Sequence, residues 1–193
     1  MNFRQLLAAR FPLSEAQLDQ LERHYTLLEQ WNQKMNLIRT ESLEELVELH
    51  YCESLFLGQS LPRGSIRIAD VGAGGGFPGI PVAIFRPEAS VALIESHQRK
   101  AVFLRQSSMG LPNVVVLSAR AEDLRARYDW VIARAVRGKD VLDLSISSDF
   151  ALLTTERELG DLPEPSAILK SPWGSQRLVA MFHVEHDRID QRG

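Results

Sequence analysis

Two rhythms of apolar residues divide the chain near residue 62. Before that point apolar positions recur every three or four residues. Leu18, Leu21, Tyr25 and Leu28 fall on one helical face. Ser14, with Leu13 before it and Gln17 three residues on, predicts the start of that helix. Thr40 predicts the cap of a further helix carrying Leu43, Leu46, Val47 and Leu49, and Leu61-Pro62-Arg63-Gly64 is turn chemistry that closes the region. From Ile66 the rhythm changes. Short apolar runs at 66–71, 91–95, 114–117 and 130–133 alternate with helical stretches expected at 79–85, 97–108 and near 138–144. Strands separated by helices predict right-handed βαβ units: an α/β fold with a mostly parallel sheet and helices on both faces. The expected division is a helical segment over residues 1–62 and a sheet domain over 63–193. Beyond residue 145 the pattern weakens. Residues 166–170 and 178–184 read as strands, 156–165 as loop, and the closing DRIDQRG as a frayed end.

The junction of the two rhythms is IRIADVGAGGGFPG, residues 66–79. An apolar run ends in an acid, Asp70, and glycines follow at 72, 74, 75, 76 and 79. Glycine admits positive φ and lets a ligand approach the backbone with no Cβ in the way. Pro78 and Pro81 suit the first turn of the next helix. In open α/β sheets, ligands bind beyond the carboxyl ends of the strands. That rule puts Asp70–Phe77, Glu95, Ala121–Glu122 and Arg134 on one rim. The plain alternative is a flexible connector.

Composition narrows the class. One cysteine, Cys52, excludes an internal disulfide and fits a reducing compartment. No apolar run approaches the ~20 residues of a membrane span, and the first residues lack the pattern of a signal peptide. The net charge of −3 argues against an anionic partner until its distribution is read. Residues 97–139 carry nine Lys and Arg against three Asp and Glu, whereas both flanks are acidic. A local basic face binds phosphates even on an acidic chain. Arg99, Lys100 and Arg105 are the candidate phosphate contacts.

The glycines fit two ligand classes. Gly74, Gly76 and Gly79 spell G-x-G-x-x-G, a weak dinucleotide signal. Asp70-x-Gly72-x-Gly74-x-Gly76 instead resembles the first motif of S-adenosylmethionine-dependent methyltransferases with a Rossmann-like fold. Glu95, ending the next strand, is placed to accept two ribose hydroxyls from either ligand. Ala121-Glu122-Asp123 follows the third strand. There a backbone N–H and a side-chain acceptor suffice to read an adenine edge, although a helix-capping acid fits equally. Arg134 ends the fourth strand, a place where arginine needs an anion or an acid to pair with. Met181-Phe-His-Val-Glu-His186 has two histidines three apart, too few ligands for a metal site.

Taken in order, DVGAGGGFPGIPVAI, ESHQRKAVFL, RAEDL and DWVIARAV resemble the glucose-inhibited division protein B family, as do WNQKMNLI and HYCESL in the leader. The likeness covers about residues 15–140. It implies a class I methyltransferase fold with an N-terminal helical leader. It also implies a cytoplasmic, monomeric enzyme that uses S-adenosyl-L-methionine, with no metal and no membrane, to methylate N7 of a guanine in 16S ribosomal RNA or the small ribosomal subunit. Gly72, Phe77, Ala121, Glu122 and Arg134 match the family's cofactor contacts; Asp70, Gly74 and Glu95 follow from the fold-wide motif. Arg134 is the one candidate for a direct part in the reaction, as an orienting group. The resemblance fades after residue 140, so the tail is expected to be shortened and the last strands of the sheet altered. N7 carries a free lone pair, so the reaction needs alignment and exclusion of water rather than a general base. The sequence agrees in having neither a Pro-Cys nucleophile nor an Asn-Pro-Pro-Tyr run. Three other readings stay open: a small-molecule methyltransferase, a nicotinamide enzyme, and a non-catalytic RNA-binding or ribosome-assembly factor.

Overall fold

The computed structural model describes residues 1–185. Seven strands form one sheet in the order β3-β2-β1-β4-β5-β7-β6. They are β1 (Arg67–Val71), β2 (Ser90–Ile94), β3 (Val114–Leu117), β4 (Trp130–Arg134), β5 (Asp149–Thr155), β6 (Ala167–Lys170) and β7 (Arg177–His183). β1 to β5 pair in parallel, and β7 runs antiparallel between β5 and β6. The chain reverses direction of strand order at β1 and β4, the switch point where such sheets open to ligands.

Alternation along the central strands feeds two cores. Ile68, Ile132, Ala151, Leu153 and Val179 point to one face. Ala69, Val71, Val131, Ala133, Phe150, Leu152, Leu178 and Ala180 point to the other. The first face is covered by α1 (Phe3–Ala8), α2 (Glu15–Met35), α4 (Glu53–Ser60), α5 (Gly79–Phe85) and α6 (Gln98–Ser107). The second is covered by α7 (Gly138–Leu142), the loop that carries Leu144 and Ile146, and α8 (Glu156–Leu159).

The leader helices form for the expected reasons, with three corrections. Ser14 caps α2 in a reciprocal capping box with Gln17. On the apolar face of α2, however, His24 is buried between Leu21 and Leu28 while Tyr25 is half-buried. A 3.6-residue repeat admits either position at that turn, and the histidine's two hydrogen bonds make its burial tolerable. Ser42, not Thr40, caps the next helix, its hydroxyl accepting from the Glu45 N–H at 3.1 Å. That helix begins as α3 (Leu43–Glu45), widens into a π-helix over Leu46–Cys52 and returns to α-helix as α4. The unexpected α1 carries its own capping box from Asn2 to Gln5.

The tail also departs from expectation. β5 was not legible as a strand, yet it lies at the centre of the second core. Residues 156–159 form a helical turn rather than loop because Thr155 and Glu158 cap it reciprocally. β7 and β6 pair, so the described tail adds two antiparallel strands to the sheet. His183 sits against Asp149 at 2.9 Å; His186 and the expected frayed end lie outside the described residues. Among the described residues no three metal-ligating side chains converge, and no helix is long and apolar enough to cross a membrane.

Candidate ligand-binding site at the glycine loop

At the carboxyl ends of β1 and β4 the chain encloses a hollow of about 320 Å³, within the range of small-molecule sites. Its walls come from the glycine loop (Gly72 to Gly75 and Phe77), the leader (Asn36 to Arg39 and His50), Lys100 on α6, and Arg134–Ala135 after β4. Three cations line it and no carboxylate does. Gly72 and Gly74 both have positive φ, and a Cβ on Gly72 would stand 2.7 Å from Val136 Cγ2. The backbone here can therefore be approached only because side chains are missing. Ala135 also has positive φ, 55°, a strained setting for a residue with a Cβ that fits the edge of a functional site.

Three buried groups fix the glycine loop. Glu95 accepts from the Gly74 N–H at 3.0 Å through one oxygen and from the His97 N–H at 2.7 Å through the other. Asp70 accepts from the Gly79 N–H at 2.8 Å, which ties the end of β1 to the first turn of α5. Asp70 is fully buried and its Oδ1 has no partner. Burial pushes its carboxyl up to about 7, against the opposing pull of the Gly79 N–H. His24 is the third group. Its Nε2 lies 3.0 Å from the Gly75 carbonyl and its Nδ1 2.8 Å from the Tyr51 hydroxyl. Burial holds its pKa down to about 4, so the ring is neutral: Nε2–H donates to Gly75 and Nδ1 accepts from Tyr51.

Arg134 reaches the hollow, but it also answers its own need for an acid. Its Nη1 donates to Glu53 Oε2 at 2.7 Å and to the Leu49 carbonyl. Glu53 is fully buried and takes a second guanidinium, Arg177 from β7, through two bonds of 2.8 and 2.7 Å. Burial, then the nearby Arg177, lowers the Arg134 pKa from its ordinary value. Two guanidiniums thus share one buried carboxylate, and Glu158 is a further negative charge that acts on both.

The structure thus gathers Gly72, Gly74, Phe77, Lys100 and Arg134 around one hollow. Asp70 and Glu95 lie beneath the loop as supports rather than in its wall. Ala121 is buried and Glu122 exposed on a 3₁₀ turn beyond β3. Arg99 borders a separate hollow between α2 and α6, with Trp31, Lys34 and Val102, and Arg105 is exposed on the last turn of α6. The sequence reading missed His24, His50, Glu53 and Arg177. The HYCESL run was the one visible signal for His50 and Glu53. His24 and Arg177 had none, since their partners lie 51 and 124 residues away.

A family model described as rRNA small subunit methyltransferase G matches residues 17–147. A protein of that name from Chromobacterium violaceum is 43% identical over 127 residues, covering 64% of this chain and 60% of that protein. One from Streptococcus pneumoniae serotype 19F is 38% identical over 151 residues, covering 72% and 64%. The chain therefore spans about three-fifths of the length of these curated relatives. Among solved structures, a SAM-dependent methyltransferase from Aquifex aeolicus superposes with a TM-score of 0.55 at 15% identity, over 72% of this chain and 93% of that one. Fibrillarin from Aeropyrum pernix, solved with natively bound S-adenosyl-L-methionine, gives 0.51 at 14% identity, over 67% and 72%. At such identities these two speak for the fold alone, which is that of the class I methyltransferases.

Proposed function

The chain belongs to the rRNA small subunit methyltransferase G family, and from that premise we propose that it transfers a methyl group from S-adenosylmethionine to N7 of a guanine in 16S ribosomal RNA. The observation that carries the proposal is the convergence of Gly72, Gly74, Phe77, Lys100 and Arg134 on one carboxylate-free hollow at the ends of β1 and β4. The cradle at Gly72 and the unpaired buried Oδ1 of Asp70 beneath it suit a compact ligand that bears both charges.

When bound, S-adenosylmethionine supplies an electrophilic methyl on a sulfonium. The protein's part is placement. Gly72 and Gly74 let the ligand lie against the backbone. Each oxygen of Glu95 keeps a lone pair for a ribose hydroxyl after accepting its backbone N–H. Ala121 and Glu122 stand where the adenine edge would be read. Arg134, fixed by Glu53, orients the ligand at the end of β4. A second hollow of about 530 Å³ adjoins through Arg134 and Ala135 and is lined by Arg137 and Lys139; it offers the acceptor base a position beside the methyl group. Since N7 presents its lone pair unprotonated, alignment and exclusion of water account for the rate. Lys100, Arg99 and Arg105 meet phosphates of an RNA, or of the small subunit, with the chain acting as a monomer in the cytoplasm.

The test is a radiolabelled methyl-transfer assay on naked 16S RNA, 30S particles and small molecules, with the product base identified. Label in N7-methylguanine of the RNA supports the reading; label in small molecules alone, or none, overturns it. In the same assay Lys100→Glu is expected to weaken RNA binding several-fold and to lower the slope of log affinity against log salt by about one.

A further inference from the structure

We propose that His50 donates a ring N–H to the carboxylate at the amino-acid end of S-adenosylmethionine, and so acts as a cofactor-binding residue of this chain. The proposal rests on the methyl-donor reading above.

Four observations converge on this residue. His50 lies in the wall of the glycine-loop hollow, and its ring centroid is 5.0 Å from that of Phe77. It sits in the π-helical turn Leu46–Cys52, a rare winding that recurs at functional positions. That turn also delivers the Leu49 carbonyl to Arg134, and Glu53 follows it at once. The winding therefore sets His50 and the ion-paired arginine side by side. Thirdly, His50 Nδ1 is buried without a partner, and among the described residues no hydrogen bond holds Nε2 either. His24 and His183, by contrast, are both engaged. A buried polar group left unmet calls for a partner that comes from outside, and the other such atom among the described residues, Asp70 Oδ1, lies beneath the same loop. Finally, the surroundings choose the sign of that partner. The hollow has Arg39, Lys100 and Arg134 in its wall and no acid, and Arg177 stands behind it on the Glu53 it shares with Arg134.

The chemistry follows from the protonation state. Burial, with Arg134 and Arg177 nearby, holds the His50 pKa down to about 3, so the ring is neutral and has one N–H and one lone pair. The charges that act on it inside the protein, Arg134 and Arg177, favour the lone pair on their side, which leaves the N–H for an anion. A half-turn about the Cβ–Cγ bond, from one well of its roughly two-fold torsion to the other, exchanges the edges of the ring. The amino-acid end of the methyl donor carries the ligand's one carboxylate.

Calorimetry on the full chain tests the assignment with three ligands: S-adenosylmethionine, S-adenosylhomocysteine, and 5′-methylthioadenosine, which lacks the amino-acid end. His50→Ala is expected to weaken the first two about tenfold, the scale of one hydrogen bond to a charged group, and to leave methylthioadenosine unchanged. His50→Gln, which keeps a donor, is expected to restore most of the loss. Equal loss for all three ligands would mean that His50 only supports the fold, and unchanged affinity for S-adenosylmethionine would exclude the contact, even if RNA binding fell. Either result overturns the proposal. If the wild-type chain fails to bind S-adenosylmethionine at all, the methyl-donor reading itself fails, a result separate from both.

Discussion

The two faces of the sheet hold their sides of the site by different means. On the leader face the glycine loop is gripped from below by buried groups: Asp70 on Gly79, Glu95 on Gly74, His24 on Gly75. Aromatic rings close around them, with Tyr51 and Phe77 at 5.0 Å and His24 and Phe77 at 5.2 Å. On the other face the turn at 121–123 is held by the small buried side chain of Ala121 and by local backbone bonds, Asp123 N–H to Arg120 and Leu124 N–H to Ala121, and its acids are exposed. A ligand bridging the two meets a preformed wall on one side and an adjustable one on the other. Ordering cost is thereby confined to few residues.

The sharpest way to break this contrast is at Gly76. A Cβ there would stand 2.6 Å from Ile80 and 2.8 Å from His24 Nε2, at a φ of +87°. Gly76→Ala is expected to cost about 3–5 kcal/mol in urea unfolding, from overpacking together with left-handed strain. A mild effect would show that the loop is not rigidly held. Asp70 comes next. Its carboxyl titrates near 7 when folded against 3.8 ordinarily, so between those values the folded chain keeps a proton that the unfolded chain has lost. Stability from this group is therefore full below about pH 4 and declines as pH rises to about 7, by up to ~4 kcal/mol. His24, pushed down to about 4, works in the opposite direction over part of that window. The measurement is thus the difference in unfolding free energy between wild type and Asp70→Asn at each pH, and a flat difference would refute the buried acid. His24→Ala orphans the Tyr51 hydroxyl and the Gly75 carbonyl and is expected to cost about 2–3 kcal/mol, read by chemical denaturation. Glu122→Ala, on the open face, is expected to change stability by less than about 0.5 kcal/mol while weakening cofactor binding several-fold by calorimetry. A stability loss equal to that of His24→Ala would erase the difference between the faces.

The same contrast explains what was legible in the sequence. β1, β2, β3 and β4 and the helices α5 and α6 announce themselves because each is a short local pattern bounded by glycine, proline or charge. Gly72, Gly74, Phe77 and Arg134 could be placed on one rim for the same reason: strand ends in a parallel sheet fall together by topology. β5 was missed because Phe150 to Leu153 is a four-residue uninterrupted apolar run, which periodicity alone does not tell from a buried helical segment. Tyr25 stood in for His24 because pattern reading treats histidine as polar, whereas a neutral ring with both nitrogens met is an acceptable core residue. The phosphate candidates were grouped by adjacency in sequence, but the helix distributes them: Lys100 faces the glycine loop, and Arg99 borders another hollow.

The ion pair between Glu53 and Arg177 joins residues 124 positions apart. During synthesis the helix that bears Glu53 is complete long before its second counter-ion exists. Until β7 arrives, packing that helix against the sheet would bury a carboxylate with Arg134 as its one partner. Loop closure over such a span is slow and entropically costly. The late strand thus acts as a checkpoint on assembly: the leader can dock early, but the cluster of Arg134, Glu53 and Arg177 behind the site closes only once β7 has been made.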